Sequence, residues 1–357
     1  MPSKALEGFR WQLEDETDEG RLFSSPVERH FGTGEFRGLE FLHVNAQTII
    51  NRVPAASRMP FRYTINADRG CSHACTYCFA RPTHEHLGLN LAEDFERRVV
   101  VKVNAVDRAR VELSSARWPG DLVAMGTNTD PYQVAEGKYH LTRGIVEALA
   151  ERRNPFSILT KSTLVLRDLA LLVAAARHTY VRVNLSIGTL DREVWRLTEP
   201  GAPPPDKRVD AVRRLREAGI SCGVLLAPVL PGLSDGDDQV REVADACYRA
   251  GALSVTPVPL HLRPGVREHY LSWLARARPD LVELHEQRFG RRAYQPKQEQ
   301  QRLAALVTEV AGAYAAGGRT DHWHPPVASG LSARSQRSAA VGIALPSDAT
   351  GQLALFG

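Results

Sequence analysis

Cysteine is scarce in this chain, with five among 357 residues. So few thiols in so long a chain exclude a disulfide framework and point to a reducing compartment, so the expected localisation is cytoplasmic. No run of about 18 apolar residues occurs, and no membrane span is expected. The N-terminal stretch MPSKALEGFRWQLEDETDEG has no apolar core and many acids, which is not the pattern of a signal peptide. Neither sign of charge dominates: 45 Lys and Arg face 41 Asp and Glu, a net charge of +4. That balance permits a nucleic-acid partner without indicating one. No internal repeat is visible beyond an alternation of strands and helices. What remains is ordinary for a globular chain, 43% hydrophobic and 24% charged, long enough for one large domain or two.

The alternation begins near residue 61. FRYTI (61–65), DLVAMGT (121–127), FSILTK (156–161), VRVNLSIG (181–188), ISCGVLLAPV (220–229) and ALSVTPVPL (252–260) read as six strands. Between them LTRGIVEALAERR (141–153), LRDLALLVAAAR (166–177), DKRVDAVRRLREAG (206–219) and DDQVREVADACYRAG (237–251) carry helical periodicity, the last two closed by Gly219 and Gly251. This spacing implies a parallel sheet with helices outside, and its natural closure is an α/β partial (β/α)6 TIM-type barrel; an open doubly wound sheet is the alternative. Three parts are expected: an extended arm over 1–60, the barrel with C-terminal helices over 61–315, and a flexible tail over 316–357.

Three of the five cysteines, Cys71, Cys75 and Cys78, stand within GCSHACTYCFA (70–80), directly after the first strand. In a barrel the loops after the strands carry the chemistry. Thiols at these offsets can converge on one point, and thiolates select zinc, copper(I) or iron–sulfur clusters. A structural zinc site needs a fourth ligand, for which His73, His84 and His86 are candidates. A [4Fe–4S] cluster held by three cysteines needs none, and leaves one iron open for a substrate or cofactor.

CxxxCxxC with Tyr77 before the last cysteine resembles the signature of the radical S-adenosylmethionine (SAM) superfamily. The FAR that follows, with TKSTLVLRDL and LTEPGAPPPDKR further on, resembles its spore photoproduct lyase-like branch, over roughly residues 60–290. The resemblance implies a [4Fe–4S] cluster on Cys71, Cys75 and Cys78, with SAM on the open iron. It implies reductive cleavage of SAM to a 5′-deoxyadenosyl radical that abstracts hydrogen from the substrate, fed by a donor such as flavodoxin or ferredoxin. It places Tyr77, Thr129, Asp130, Lys161 and Ser186 near SAM. Read on their own, Asp130-Pro131 is also an ordinary turn, Lys161 a solvated cap, and Ser186 a partner for backbone. Two positions depart from the branch. Spore photoproduct lyase uses a cysteine beside the Thr-Asp pair as a hydrogen donor, where this chain has Thr127, so photoproduct reversal by that route is not expected. The run before the cysteines is Asn66-Ala67-Asp68-Arg69-Gly70 rather than NPYRG. Cys222 either points into the barrel or packs in the core.

His261, Arg263, Arg267 and His269 follow the sixth strand and suit a phosphate-bearing substrate or a charged helix start. The chain ends in GQLALFG. QLxLF after a polar linker resembles the peptide with which bacterial replication and repair proteins dock on the DNA sliding clamp, through Gln352, Leu353, Leu355 and Phe356. A terminal strand or helix packed on its own domain is the other reading. The expected function is that of a radical SAM enzyme acting on nucleic acid, damaged DNA first. Radical modification of RNA or protein, or a non-catalytic zinc-stabilised binding protein, are the alternatives.

Overall fold

The six apolar runs of the sequence all become strands of one sheet. The structure, a computed structural model, describes residues 27–54, 57 and 59–316. In chain order it begins with the strands β1 (Glu28–Phe31), β2 (Glu40–Val44), β3 (Ile50–Arg52), β4 (Tyr63–Ile65) and β5 (Asp68–Arg69). Next come α1 (Glu93–Arg97), β6 (Arg98–Lys102), α2 (Ala105–Leu113), β7 (Val123–Met125), α3 (Val134–Tyr139), α4 (Leu141–Glu151) and β8 (Phe156–Thr160). Then follow α5 (Leu169–Ala176), β9 (Val181–Ser186), α6 (Arg192–Thr198), α7 (Pro205–Glu217), β10 (Ser221–Val229), α8 (Asp237–Arg249) and β11 (Val255–Pro259). The helices α9 (Val266–Ala277), α10 (Val282–Phe289) and α11 (Lys297–Ala316) complete the described chain.

β4, β7, β8, β9, β10 and β11 pair in that order, all parallel, with β3 antiparallel on the outer edge of β4. This is the partial six-stranded barrel that the spacing predicts. β10 buries Cys222, Val224 and Leu226 on one face, and the residues alternating with them are mostly half-buried; α7 packs on this strand and buries its own Ala211, Val212 and Leu215 at helical intervals. α7 begins at Pro205, whose missing N–H a first helical turn does not need. The expected helical segment over 265–315 is present as α9, α10 and α11. α9 and α10 pack an apolar cluster that includes Tyr270, Leu274 and Phe289 against Cys75 and Tyr77.

The expected arm differs. Its described part holds β1, β2 and β3; β1 and β2 join β6 and β5 in a second, four-stranded sheet of order β1-β2-β6-β5. Sequence periodicity missed it because its strands follow no strand–helix spacing: β5 is two residues long, and its partner β6 returns only after the cysteine loop and α1. β5 ends this sheet two residues before Cys71, so the small sheet is the platform from which the cysteine loop departs. Among the described residues no helix is long and apolar enough to cross a membrane.

Candidate active site

The chain leaves β5 at Gly70, whose φ of +84° lies in the left-handed region. A Cβ there would also stand 2.8 Å from the His84 ring. The loop that follows is held at almost every turn. Cys71 N donates to the Phe95 carbonyl at 2.9 Å. The Thr129 hydroxyl donates to the Gly70 carbonyl at 2.6 Å, and Gln133 Nε2 donates to the same oxygen at 3.0 Å while its Oε1 accepts from Ser72 N at 2.9 Å. The guanidinium of Arg81, fully buried, donates to the Cys75 carbonyl at 2.8 Å and pairs with Glu96 at 2.5 Å.

From the other side the turn after α6 closes on the loop. Thr76 N donates to the Thr198 carbonyl at 3.0 Å, and Gly201 N to the His73 carbonyl at 3.0 Å. A Cβ on Gly201 would lie 2.0 Å from the Ser72 carbonyl oxygen, closer than any real contact. Gly201→Ala is therefore expected to force the two loops apart. The expected cost is about 1–3 kcal/mol of stability, with a fall in iron retained after reconstitution. Thermal melting and iron analysis of the variant check this, and a wild-type value for both would refute the contact.

The three thiols are buried or nearly so, and burial pushes each above the ordinary range, Cys75 to about 12. Their protons leave when a metal takes their place. One zinc ion with Zn–S bonds of about 2.3 Å would need its sulfurs within about 3.8 Å of one another. Among the described residues, three ligand-type atoms come within 4.8 Å of each other at one place only, and no cysteine belongs to it. Nor do the candidate fourth ligands complete a single-ion site: His84 lies 3.0 Å from the Arg98 carbonyl, His73 faces Asp130 at 3.4 Å, and His86 is exposed. Three thiols near enough for Cys75 and Cys78 to push Cys71 up, after burial and Asp130, yet not drawn to one point, suit a cluster in which each cysteine takes a different iron.

Beside the loop, at the C-terminal ends of β8 and β9, stands a compact charged group. Glu199, buried, accepts from the Tyr77 hydroxyl and from Arg208, and lies 3.5 Å from Lys161 Nζ. Lys161 Nζ donates to Ser186 Oγ at 2.6 Å and sits 5.7 Å above the Tyr77 ring. Arg208, 1% exposed, donates to the Ser186 carbonyl at 3.0 Å and to the Pro203 carbonyl at 2.8 Å. Burial opposes charge on Glu199, but Arg208 and Lys161 outweigh it and hold the carboxyl at about 2. Two cations against one carboxylate leave a positive charge over, next to the thiols.

Three of the five residues expected near SAM, Tyr77, Lys161 and Ser186, are thus brought together. Thr129 and Asp130 take other hydrogen bonds. Thr129 holds the Gly70 carbonyl, and Asp130 accepts from Thr160 Oγ1 at 2.6 Å and Lys161 N at 2.7 Å, which ties the end of β7 to the end of β8. Sequence reading missed Glu199, Arg208 and Gln133. The first and second lie inside LTEPGAPPPDKR, but nothing in that string says that residues 199 and 208 meet. Cys222 faces away from the site: it is fully buried and close enough to Cys247, on α8, to raise that thiol's pKa. Gln352, Leu353, Leu355 and Phe356 lie outside the described residues.

The family model of the Radical SAM superfamily matches residues 65–245, from β4 to α8. An uncharacterized protein of Mycobacterium tuberculosis is 44% identical over 292 residues, 82% of this chain and 85% of the relative. A protein of Pseudomonas phage M6 named a radical SAM Nalpha-GlyT isomerase is 27% identical over 169 residues, 47% of this chain and 33% of its own length. Among solved structures, a spore photoproduct lyase complexed with dinucleoside spore photoproduct has the same fold. It superimposes with a TM-score of 0.55 at 18% identity, covering 77% of this chain and 79% of the lyase.

Proposed function

This chain belongs to the radical SAM superfamily, and from that premise we propose that Cys71, Cys75 and Cys78 hold its [4Fe–4S] cluster while Tyr77, Lys161 and Ser186 face the SAM. Together the two cofactors supply a 5′-deoxyadenosyl radical able to abstract hydrogen. The observation that carries the reading is the contact between the two halves of the site. The charged group on Glu199 is hydrogen-bonded to Tyr77, which lies between two of the three cysteines. Lys161, bonded to Ser186 and sharing Glu199 with Arg208, has a third N–H to offer the carboxylate of an amino acid. Thr129, Gln133 and Arg81 hold the backbone of the loop, so that the thiols keep their places through a redox cycle. Thr129 and Asp130 stay in the reading as residues that approach the SAM, with Asp130 also tying the strand ends together.

The substrate class in this reading is nucleic acid, damaged DNA first, in the cytoplasm, with a flavodoxin- or ferredoxin-type electron donor. What supports it is the branch that the motifs resemble and a stacked set of rings beside the loop. Phe79, next to Cys78, stacks with His261 at 6.0 Å between ring centres, and His261 with Tyr294 at 5.8 Å. Arg263 donates to the Tyr294 hydroxyl at 2.9 Å. Rings with a cation at hand suit a base and its phosphate. Thr127 in place of a cysteine argues for a reaction other than photoproduct reversal by a cysteine donor. The terminal QLALF would bring the enzyme to the DNA sliding clamp.

The experiment is anaerobic turnover with dithionite, reading 5′-deoxyadenosine, with ultraviolet-damaged and intact DNA, RNA and peptide as additions. Damaged DNA is expected to raise turnover most; stimulation by RNA or peptide alone would overturn the substrate. Removal of residues 352–357 is expected to abolish capture by the clamp with SAM cleavage unchanged, and undiminished capture would refute the docking.

A further inference from the structure

Outside the cysteine loop, one face of the small sheet gathers three ligating side chains. β1 and β2 are antiparallel, with Glu28 opposite His43 and His30 opposite Phe41. Strand residues two apart share a face, so Glu28, His30 and His43 stand on the same one. One ligand-type atom of each lies within 4.8 Å of the other two, and this is the one such group of three among the described residues. The His30 side chain is 43% exposed, but its Nε2 is itself screened from solvent and has no hydrogen-bond partner, 3.5 Å from Glu28 Oε2. The two imidazoles stack with ring centres 3.8 Å apart and planes 25° apart. The Tyr139 hydroxyl, 2.7 Å from His43 Nε2, fixes the second ring.

Two imidazoles at that distance cannot both be charged at low cost. Burial first, then His30 and Lys138, hold the His43 pKa down at about 4, with Glu28 opposing. Neutral imidazole is the state that binds a metal.

We propose that Glu28, His30 and His43 form a binding site for a divalent transition metal ion of the zinc class, with water completing its shell. Two imidazoles and one carboxylate suit zinc, nickel or copper rather than magnesium or calcium. Bonds of about 2.1 Å require the three atoms to draw in from their present spacing, which the exposed Glu28 side chain can do by changing rotamer. β1 is the edge strand of its sheet and pairs only with β2. An ion shared between them would clip that edge to the platform that carries the cysteine loop.

The site is independent of the cysteines and of any activity, so the test uses the full chain with its iron–sulfur cluster loaded, and cobalt(II) or zinc(II) alone as probe. About one equivalent of cobalt(II) is expected beyond the iron, and the difference spectrum against the cobalt-free protein is expected to show bands of nitrogen and oxygen ligation and no added thiolate-to-cobalt charge-transfer band. His30→Gln and Glu28→Gln are each expected to weaken binding about tenfold or more. No uptake beyond the iron, a thiolate band, or unchanged affinity in His30→Gln would overturn the proposal. Melting in chelator is expected to be the same for both variants and the parent, which shows that the variants fold. Zinc(II) is expected to raise the melting temperature of the parent alone; an equal rise in His30→Gln would equally refute it.

Discussion

Cys71→Ala is expected to leave a folded protein without its cluster and without SAM cleavage. Anaerobic reconstitution of the parent is expected to give about four irons and four sulfides per chain, with 5′-deoxyadenosine formed on reduction. The variant is expected to fall to background in both. The reason is geometric. Cys71 leads the loop, and its own N–H is anchored on Phe95, so the backbone stays in place when the thiol is removed. Two remaining thiols cannot hold three irons of a cube, and among the described residues no histidine joins a cysteine in a three-ligand group. Far-ultraviolet circular dichroism separates loss of the cluster from loss of the fold. Full cleavage activity in Cys71→Ala would show the ligand assignment to be wrong. One tightly bound zinc in the parent, with no iron taken up, would show the site to be structural.

Glu199→Gln is the second large effect, and it is expected on stability and on SAM affinity together. The substitution keeps the shape of the side chain and removes the charge that Arg208 and Lys161 share. Arg208 is then a buried cation with no counter-charge, which costs about 3–5 kcal/mol. The pH dependence gives an independent measure. The carboxyl sits at about 2 in the folded protein against an ordinary 4.5. Its contribution is complete above pH 4.5 and is lost as the pH falls towards 2, about 3 kcal/mol in all. Acid unfolding is therefore expected to be steeper in the parent than in Glu199→Gln over that window. Adding Arg208→Met to Glu199→Gln is expected to restore much of the stability, because the stranded charge is gone, without restoring SAM binding. Wild-type melting and SAM affinity in the single variant would refute both halves of the argument.

The legible part of this protein was the part whose signals are local. Six strands were readable because each is a short run of apolar residues, and several are spaced by helices that close on a glycine, as at Gly219 and Gly251. The reaction type was readable because Cys71, Cys75 and Cys78 fall within eight residues. The small sheet was not, because β5 is two residues long and its partner β6 comes some 30 residues later, after α1.

The amino-acid sequence by itself determined the barrel and the thiol loop, since hydrophobic period and ligand spacing act between near neighbours. Which charges meet was decided only by the tertiary structure. Tyr77 and Glu199 are 122 residues apart and share one hydrogen bond, and Gln133 reaches back 61 residues to Ser72. Asp130 shows the same limit from the other side. Its place after β7 suggests a SAM contact, and nothing local in the sequence says that it also accepts from Thr160 and the backbone N–H of Lys161. A buried polar group takes whatever partner the fold brings within reach, and that partner is set by strand order and register, which no local pattern encodes.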